Sequence, residues 1–108
     1  MELYLITASG DTAETVLKVV PIAVEDRGGF LVSKNDSKRF EKHNIGVVLK
    51  YDEIKECESY IGLYGYVLDH GDIETMQKEM LAKIREHFMT WIQMLTMALE
   101  KVERPLIR

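Results

Sequence analysis

The stretch DIETMQKEMLAKIREHFMTWIQMLTMALEKVE, residues 72–103, decides the fold that we predict for this chain. It contains no glycine or proline and is rich in strong helix formers. Asp72 is placed to cap its first N–H groups, and Pro105 prevents continuation. We therefore predict a long helix over residues 72–104, about 45 to 50 Å in length. That length exceeds the diameter of a compact domain of this size, so we expect part of the helix to project or to meet another chain.

One face of the predicted helix is apolar along its whole length. Residues spaced three and four apart fall on a single stripe when successive side chains are turned by about 100°. We expect this stripe to pack against the rest of the chain. It comprises Ile73, Met76, Met80, Ile84, Phe88, Trp91, Leu95, Ala98 and Val102.

The opposite face changes character halfway along the helix. In the first half it is charged, but residues 88–99, FMTWIQMLTMAL, carry no charge at all. A helix that is uncharged all round is usually covered on both sides, and a second copy is the simplest cover because twofold pairing lets one patch satisfy itself. A foreign protein or the chain's own loops are the alternatives. The interface predicted on this helix comprises Met89, Ile92, Gln93, Thr96 and Met97.

The first two thirds of the chain, residues 1–71, have mainly β character. Strand-like runs of β-branched and apolar residues cover 2–8, 15–25, 30–33, 47–51 and 60–68. Residues 26–29 supply a tight turn between the second and third runs, Pro21 indicates an edge strand or a bulge, and residues 35–44 indicate a short helix or an ordered loop. We therefore predict one α+β domain over residues 1–108, an antiparallel sheet of about five strands packed on one long C-terminal helix.

Tyrosines alternate with aliphatic residues in YIGLYGYVL, residues 60–68. Alternation along a strand places Tyr60, Tyr64 and Tyr66 on one face, with Ile61 and its aliphatic neighbours on the other. We predict that the tyrosines half-bury or serve as interface residues, because each has an apolar body and a polar tip. Stacking of nucleic-acid bases beside the basic run of residues 34–42 is the alternative. The net charge of −4 makes nucleic acid an unlikely partner.

The segment LYLITASGDTAET, residues 3–15, supports a competing hypothesis. Asp11 followed three residues later by Glu14 is typical of a capping box at a helix start. The Thr-x-Ser-Gly-x-Thr spacing resembles the phosphate loop of the flavodoxin family. The resemblance implies a flavin or nucleotide phosphate held by Thr7, Ser9 and Thr12. The chain lacks the pattern of alternating helices that the doubly wound sheet of that family requires.

We predict no catalytic, metal or cofactor site elsewhere in the chain. Cys57 lies between two glutamates, which disfavour a reactive thiolate. The three histidines, at positions 43, 70 and 87, lack metal-ligand spacing. The acidic run over residues 52–58 is typical of a solvated connection.

Together these features predict a small acidic protein that is not an enzyme. We expect a homodimeric interaction module joined through the C-terminal helix, acting on a protein partner as an adaptor, regulator or inhibitor. Accessory proteins of mobile elements that block a host complex are of this general kind. The single cysteine favours the reducing cytoplasm. The longest uncharged stretch, thirteen residues from His87 to Leu99, is shorter than the roughly 20 residues that a membrane span needs.

Overall fold

A computed structural model describes residues 1–51 and 59–103 of the chain. It has a curled antiparallel sheet of six strands packed against one long C-terminal helix, which confirms the predicted α+β arrangement with one strand more than expected. The strand order across the sheet is β4-β3-β2-β1-β6-β5. The strands are β1 Glu2–Asp11, β2 Thr15–Asp26, β3 Phe30–Ser33, β4 Arg39–Glu41, β5 Leu49–Lys50 and β6 Tyr60–Val67.

Two short 3₁₀ turns and the helix complete the described structure. The turns span Lys42–Asn44 and His70–Asp72, and the helix α1 spans Ile73–Glu103. The side chain of Asp69 accepts a hydrogen bond from the N–H of Gly71 at 2.8 Å and so caps the turn that leads into α1. Asp72, the residue predicted to cap the helix, lies inside that turn.

The sixth strand, β4, lies in the segment predicted as a short helix or an ordered loop. Arg39–Glu41 is only three residues long, and its pairing with β3 places Phe40 opposite Leu31. Both side chains are buried. So short a strand carries no periodic signal of its own, because it is held by a partner strand and by burial rather than by local propensity. The helical part of the prediction corresponds to the 3₁₀ turn Lys42–Asn44, which follows β4.

The hairpin between β1 and β2 corrects the predicted helix start. The Asp11 carboxylate accepts hydrogen bonds from the N–H groups of Ala13 and Glu14 at 2.7 and 2.8 Å. These are the bonds that a helix-capping aspartate makes, but here they close a turn between antiparallel strands. Residues Thr7 to Asp11 therefore continue strand β1, and no helix follows them.

The turn between β2 and β3 is confirmed over the predicted residues. Asp26 accepts a hydrogen bond from the N–H of Gly28 at 2.9 Å, and Arg27 donates its N–H to the carbonyl of Phe30. Gly28 has a φ of 93°, a left-handed conformation that glycine adopts without steric cost.

The first core lies between the sheet and the N-terminal half of α1. Two glycines allow the helix to lie close to the sheet: a Cβ at Gly10 would come within 2.8 Å of Ile84, and one at Gly65 within 2.6 Å of the Met76 sulfur. The buried members of this core are Ile6, Ala8, Ile61, Leu63, Val67, Met76, Met80 and Ile84.

A second core fills the other face of the sheet, where the sheet curls over itself. Tyr66 contacts Phe40 edge-on, with ring centroids 5.2 Å apart, and donates its hydroxyl to the carbonyl oxygen of Glu41 at 2.7 Å. The buried members are Leu3, Val24, Leu31, Phe40 and Tyr66. The sheet is therefore covered on one face by α1 and over part of the other face by its own edge strands.

The molecule is elongated. Its principal extents are 69 × 25 × 23 Å and its radius of gyration is 18.7 Å. A compact chain of this length has a radius of gyration of about 13 Å. The difference follows from α1, whose 31 residues extend about 46 Å.

Candidate interaction surface

From Ile92 onward α1 leaves the sheet and is exposed to solvent in the part of the chain that the structure describes. Met76, Met80 and Ile84 have at most 4% of their surface exposed, whereas every residue from Ile92 to Val102 is exposed. We call residues 89–102 the distal segment. Apart from the half-buried Trp91, its large apolar side chains keep more than half of their surface exposed, namely Met89 53%, Ile92 55%, Met94 54%, Leu95 52%, Met97 59%, Leu99 58% and Val102 63%.

This exposure corrects the prediction that the whole apolar stripe faces the chain's own sheet. Packing against the sheet reaches Phe88, and Trp91 is half-buried, but Leu95 and Val102 contact solvent instead. The cause is a difference in length. The ten residues of β1, which α1 packs against, extend about 33 Å, whereas α1 extends about 46 Å. The twelve residues of α1 after Trp91 extend roughly 18 Å beyond the packed part of the helix.

The residues predicted to form the helical interface all lie on this exposed surface. Met89, Ile92, Gln93, Thr96 and Met97 are exposed in the single chain. The Thr96 hydroxyl donates a hydrogen bond to the carbonyl of Ile92 at 2.9 Å, and Thr90 does the same to Glu86 at 3.0 Å. The hydroxyl protons are thus satisfied within the helix, which makes the distal segment less polar than its composition indicates.

The strand register confirms that the three predicted tyrosines share the face turned away from α1. Tyr60, Tyr64 and Tyr66 lie opposite Asp11, Thr7 and Leu5 of β1. Their surroundings differ, however. Tyr66 lies in the second core with 3% of its surface exposed, so almost none of its side chain can contact a partner. Tyr60 and Tyr64 are half-buried.

Tyr51 joins the two half-buried tyrosines and was missed in the sequence analysis. Its ring centroid lies 4.8 Å from that of Tyr64. Gly62 lies beside the rings of Tyr51 and Tyr60. A Cβ at this position would lie 3.4 Å from Tyr51 and 3.2 Å from Tyr60, so the glycine leaves room for both rings. Burial raises the pKa of Tyr51, which keeps its phenol neutral. The available signal was the position of Tyr51 at the end of a predicted strand, where it can pair beside β6.

A cleft of about 350 Å³ lies at the open side of the second core. The tyrosines Tyr51, Tyr64 and Tyr66 line it together with Lys38 and Arg39 of the basic run. Two of the four basic side chains in residues 34–42 form ion pairs within the chain. The ammonium group of Lys42 contacts both carboxylate oxygens of Asp26 at 2.7 and 2.8 Å, and Arg39 stacks 3.7 Å over the Phe30 ring while pairing with Glu41. The ion pairs of Arg39 and Lys42 thus reduce the charge that the basic run offers to a phosphate backbone.

The predicted phosphate loop lacks the helix that its chemistry needs. Thr7 and Ser9 lie within β1, and Thr12 lies in the hairpin turn before β2. A phosphate cradle of that type uses the free N–H groups at a helix N-terminus. Here the residues after the loop form an antiparallel strand, so the structural basis of the flavodoxin resemblance is wrong.

The sequence also predicts that the chain has no metal site and no membrane-spanning helix. Among residues 1–51 and 59–103, no three His, Cys, Asp or Glu side chains form a group that can hold a metal ion. Within the same ranges no helix has both the length and the apolar character required to cross a bilayer. Cys57 and the acidic run of residues 52–58 lie outside the described residues.

Comparison with known proteins identifies no relative of this chain. No family model, curated protein or solved structure matches this chain. The exposed distal segment and the half-buried tyrosines are therefore interpreted from their own geometry and chemistry.

The outer edge of β2 is a further exposed feature. Val24 donates its N–H to the carbonyl oxygen of Met1, which directly precedes β1. Because the hydrogen bonds of an antiparallel pair alternate along the strand, the backbone groups of Leu17, Val19 and Pro21 point away from β1. In the described part of the chain, the pairing of β2 with β3 is limited to Val24–Asp26 of β2. Pro21 therefore lies at an unpaired edge, as predicted, where its missing N–H hinders the addition of another strand.

Proposed function

We propose that this protein is a non-enzymatic interaction module that acts as a homodimer joined through the distal segment of α1. One observation carries the proposal: seven large apolar side chains in that segment each keep more than half of their surface exposed. Soluble proteins rarely leave so contiguous an apolar surface in water unless it binds something.

The energy available from this surface is comparable in size with the cost of association. Burying a large apolar side chain completely contributes about 1.5 to 3 kcal/mol, so covering the exposed half of each contributes roughly 1 kcal/mol. Complete cover of all seven on both copies sets an upper bound of roughly 14 kcal/mol, against an association cost of about 4 to 15 kcal/mol. A second copy is the natural occupant because a twofold axis covers both apolar segments with one another.

The half-buried tyrosines supply a separate surface for a protein partner. Tyr51, Tyr60 and Tyr64 present apolar rings with polar tips, the residue type enriched at protein interfaces. They lie on the face of the sheet opposite α1, so a partner bound there does not compete with the dimer. An adaptor, regulator or inhibitor in the cytoplasm, such as a mobile-element protein that blocks a host complex, fits this arrangement.

Light scattering tests the dimer directly. At micromolar concentration we expect twice the chain mass of 12.5 kDa, with a shift toward the single-chain mass on dilution. A single-chain mass at every concentration up to the solubility limit contradicts the proposal.

A visible absorption spectrum of the freshly purified protein tests the competing flavin hypothesis, which requires a flavin band.

Affinity capture from the native cell tests the tyrosine surface. The wild-type protein and a Tyr64→Ala variant are immobilised in parallel, and the captured proteins are compared by mass spectrometry. We expect at least one protein that binds the wild type and is lost with Tyr64→Ala. Identical capture by both proteins places the partner surface elsewhere.

A further inference from the structure

We infer that the two copies pair through an antiparallel, two-stranded coiled coil whose central layers are formed by Phe88, Ile92, Leu95 and Leu99. This inference rests on the proposed dimer and specifies the face and the direction of pairing. The decisive features are the seven-residue repeat on α1, the side of the helix that the sheet leaves open, and the position of Arg85.

Burial along the first half of α1 selects the face. The sheet covers Ile84, which is 4% exposed, whereas Leu81 on the adjacent side is 42% exposed. A partner helix can continue along the Leu81 side without meeting the sheet, and an open groove that includes Leu81, Arg85 and Met89 follows the same side of the helix.

The apolar residues on the open side, together with Phe88 at its boundary with the sheet, follow a heptad repeat; Phe88 is half-buried against the first core and the others are exposed. Leu81, Phe88, Leu95 and Val102 are separated by seven residues, and so are Ile92 and Leu99. In coiled-coil terms the first set occupies the d positions and the second the a positions, which is the pattern of a helix that packs knobs into holes with a partner. The repeat over Phe88 to Val102 contains two heptads.

Arg85 determines the direction. It lies seven residues before Ile92 and therefore occupies an a position. Parallel pairing places it directly beside Arg85 of the second copy, where like charges repel. Antiparallel pairing places it beside Val102 of the second copy, at the end of the coil, where the guanidinium group reaches water.

Side-chain sizes match in the antiparallel register. Phe88 lies opposite Leu99 of the second copy, and Ile92 lies opposite Leu95. On the flanks, Trp91 lies beside the small Ala98 of the second copy. Parallel pairing instead places Phe88 against itself. The large residues thus meet smaller ones in the antiparallel register, which suits close packing.

The antiparallel dimer is a rod with one sheet at each end. Its twofold axis passes between Gln93 and Met94, so the two helix N-termini lie about 60 Å apart. The two sets of tyrosines then lie at opposite ends, and each dimer presents two separate binding surfaces to partner molecules.

Engineered cysteines distinguish the two directions. In a Cys57→Ser background, Arg85→Cys and Val102→Cys are made in separate chains, both at exposed positions outside the cores. Each variant is oxidised alone. The two variants are also mixed under reducing conditions, and the mixture is then oxidised. We expect disulfide-linked dimers only in the mixture, because equal positions in an antiparallel pair lie about 25 Å apart, beyond the reach of a disulfide.

The outcomes separate this inference from the proposed function. Cross-linking of Val102→Cys with itself, in a chain that keeps Arg85, shows parallel pairing and overturns the inference. A dimeric mass without any cross-link also overturns it, because the contact must then lie on another face. A single-chain mass for the wild-type protein contradicts the proposed function itself.

Charged substitutions test the face independently. Ile92→Glu combined with Leu95→Glu is expected to give the single-chain mass with unchanged far-ultraviolet circular dichroism, since both side chains are exposed in the single chain. Thr90→Glu, on the opposite side of the helix, is the matched control and is expected to remain dimeric. Dissociation by Met89→Glu with Met97→Glu, but not by the Ile92 and Leu95 pair, overturns the inference while leaving the proposed function intact.

Discussion

At the scale of single residues, Tyr66 shows how one side chain connects the curled sheet. Its ring packs in the second core against Phe40, and its hydroxyl is bonded to the backbone of Glu41 near the other end of the sheet. The contact joins β6 to β4, which have three strands, β3, β2 and β1, between them in the sheet order. Tyr66 therefore helps to hold the curl as well as filling the core.

Tyr66→Phe keeps the ring and removes the hydroxyl. We expect the free energy of unfolding to fall by about 1 to 2 kcal/mol, because the carbonyl of Glu41 loses its donor in a partly buried place. Chemical denaturation measures the loss. Tyr64→Phe, a half-buried tyrosine on the same strand face, serves as the control and is expected to change stability less. Equal losses for both variants would show that the Tyr66 hydroxyl has no special role.

The same tyrosine predicts sensitivity to alkaline pH. Burial raises the pKa of Tyr66 in the folded state above the ordinary value of 10.0. Its neutral form thus stabilises the fold fully below pH 10, and this contribution is lost as the pH rises through the folded pKa. We expect the urea midpoint to fall more steeply above about pH 10 in the wild type than in Tyr66→Phe. Parallel curves for the two proteins would assign the alkaline loss to other groups.

Gly65 tests the close approach of the helix to the sheet. A Cβ at this position would lie 2.6 Å from the Met76 sulfur and 2.9 Å from the Val47 carbonyl oxygen. The carbonyl belongs to the backbone and cannot move aside easily, so we expect Gly65→Ala to lower the free energy of unfolding by about 1 to 3 kcal/mol. Gly29→Ala, where nothing lies within 4 Å of the added carbon, is the matched control. Thermal unfolding of the two variants gives the comparison.

At the scale of elements, α1 is one continuous helix with two different roles. Its first half is held by the sheet through Met76, Met80 and Ile84, and its second half extends beyond the sheet. A helix of this length in water depends mostly on tertiary packing of its apolar face. From Ile92 to Val102 every residue of the distal segment is exposed, so the proposed second copy supplies the missing packing.

Two alanine substitutions on this helix are expected to behave differently. Met80→Ala opens a cavity in the first core and is expected to lower the free energy of unfolding by about 2 to 5 kcal/mol at every protein concentration. Leu95→Ala removes exposed surface from the single chain. It is expected to lower the unfolding temperature only at concentrations where the chain is dimeric. A concentration-independent loss for Leu95→Ala would contradict a role in association.

At the scale of the whole molecule, the elongated shape follows from an excess of helix over sheet. The two cores are complete by Phe88, and residues from Ile92 to Val102 add length without adding to either core. We therefore expect a shortened chain of residues 1–91 to fold with near-ultraviolet dichroism close to that of the full protein and to remain a monomer. Light scattering and thermal unfolding measure both properties. A shortened chain that fails to unfold cooperatively would show that the distal segment is needed for folding.

The sequence by itself determined the features that depend on neighbours along the chain. The length of α1 follows from 32 residues without glycine or proline, and the turn at residues 26–29 follows from Asp26 and Gly28. The alternation in residues 60–67 assigned the tyrosines and the aliphatic residues to opposite faces of β6. Each of these patterns involves residues that are close together in the chain, where backbone geometry alone decides the local structure.

Only the tertiary structure decided which partner each pattern meets. The hydrogen bonds of Asp11 suit both a helix start and a hairpin turn, and pairing with β2 selected the turn. Pairing with β3 made a strand of Arg39–Glu41, and the curl of the sheet buried Tyr66 but left Tyr64 half-exposed. The end of the sheet likewise fixed the point at which α1 enters solvent. These outcomes depend on residues far apart in the chain, so local patterns do not contain them.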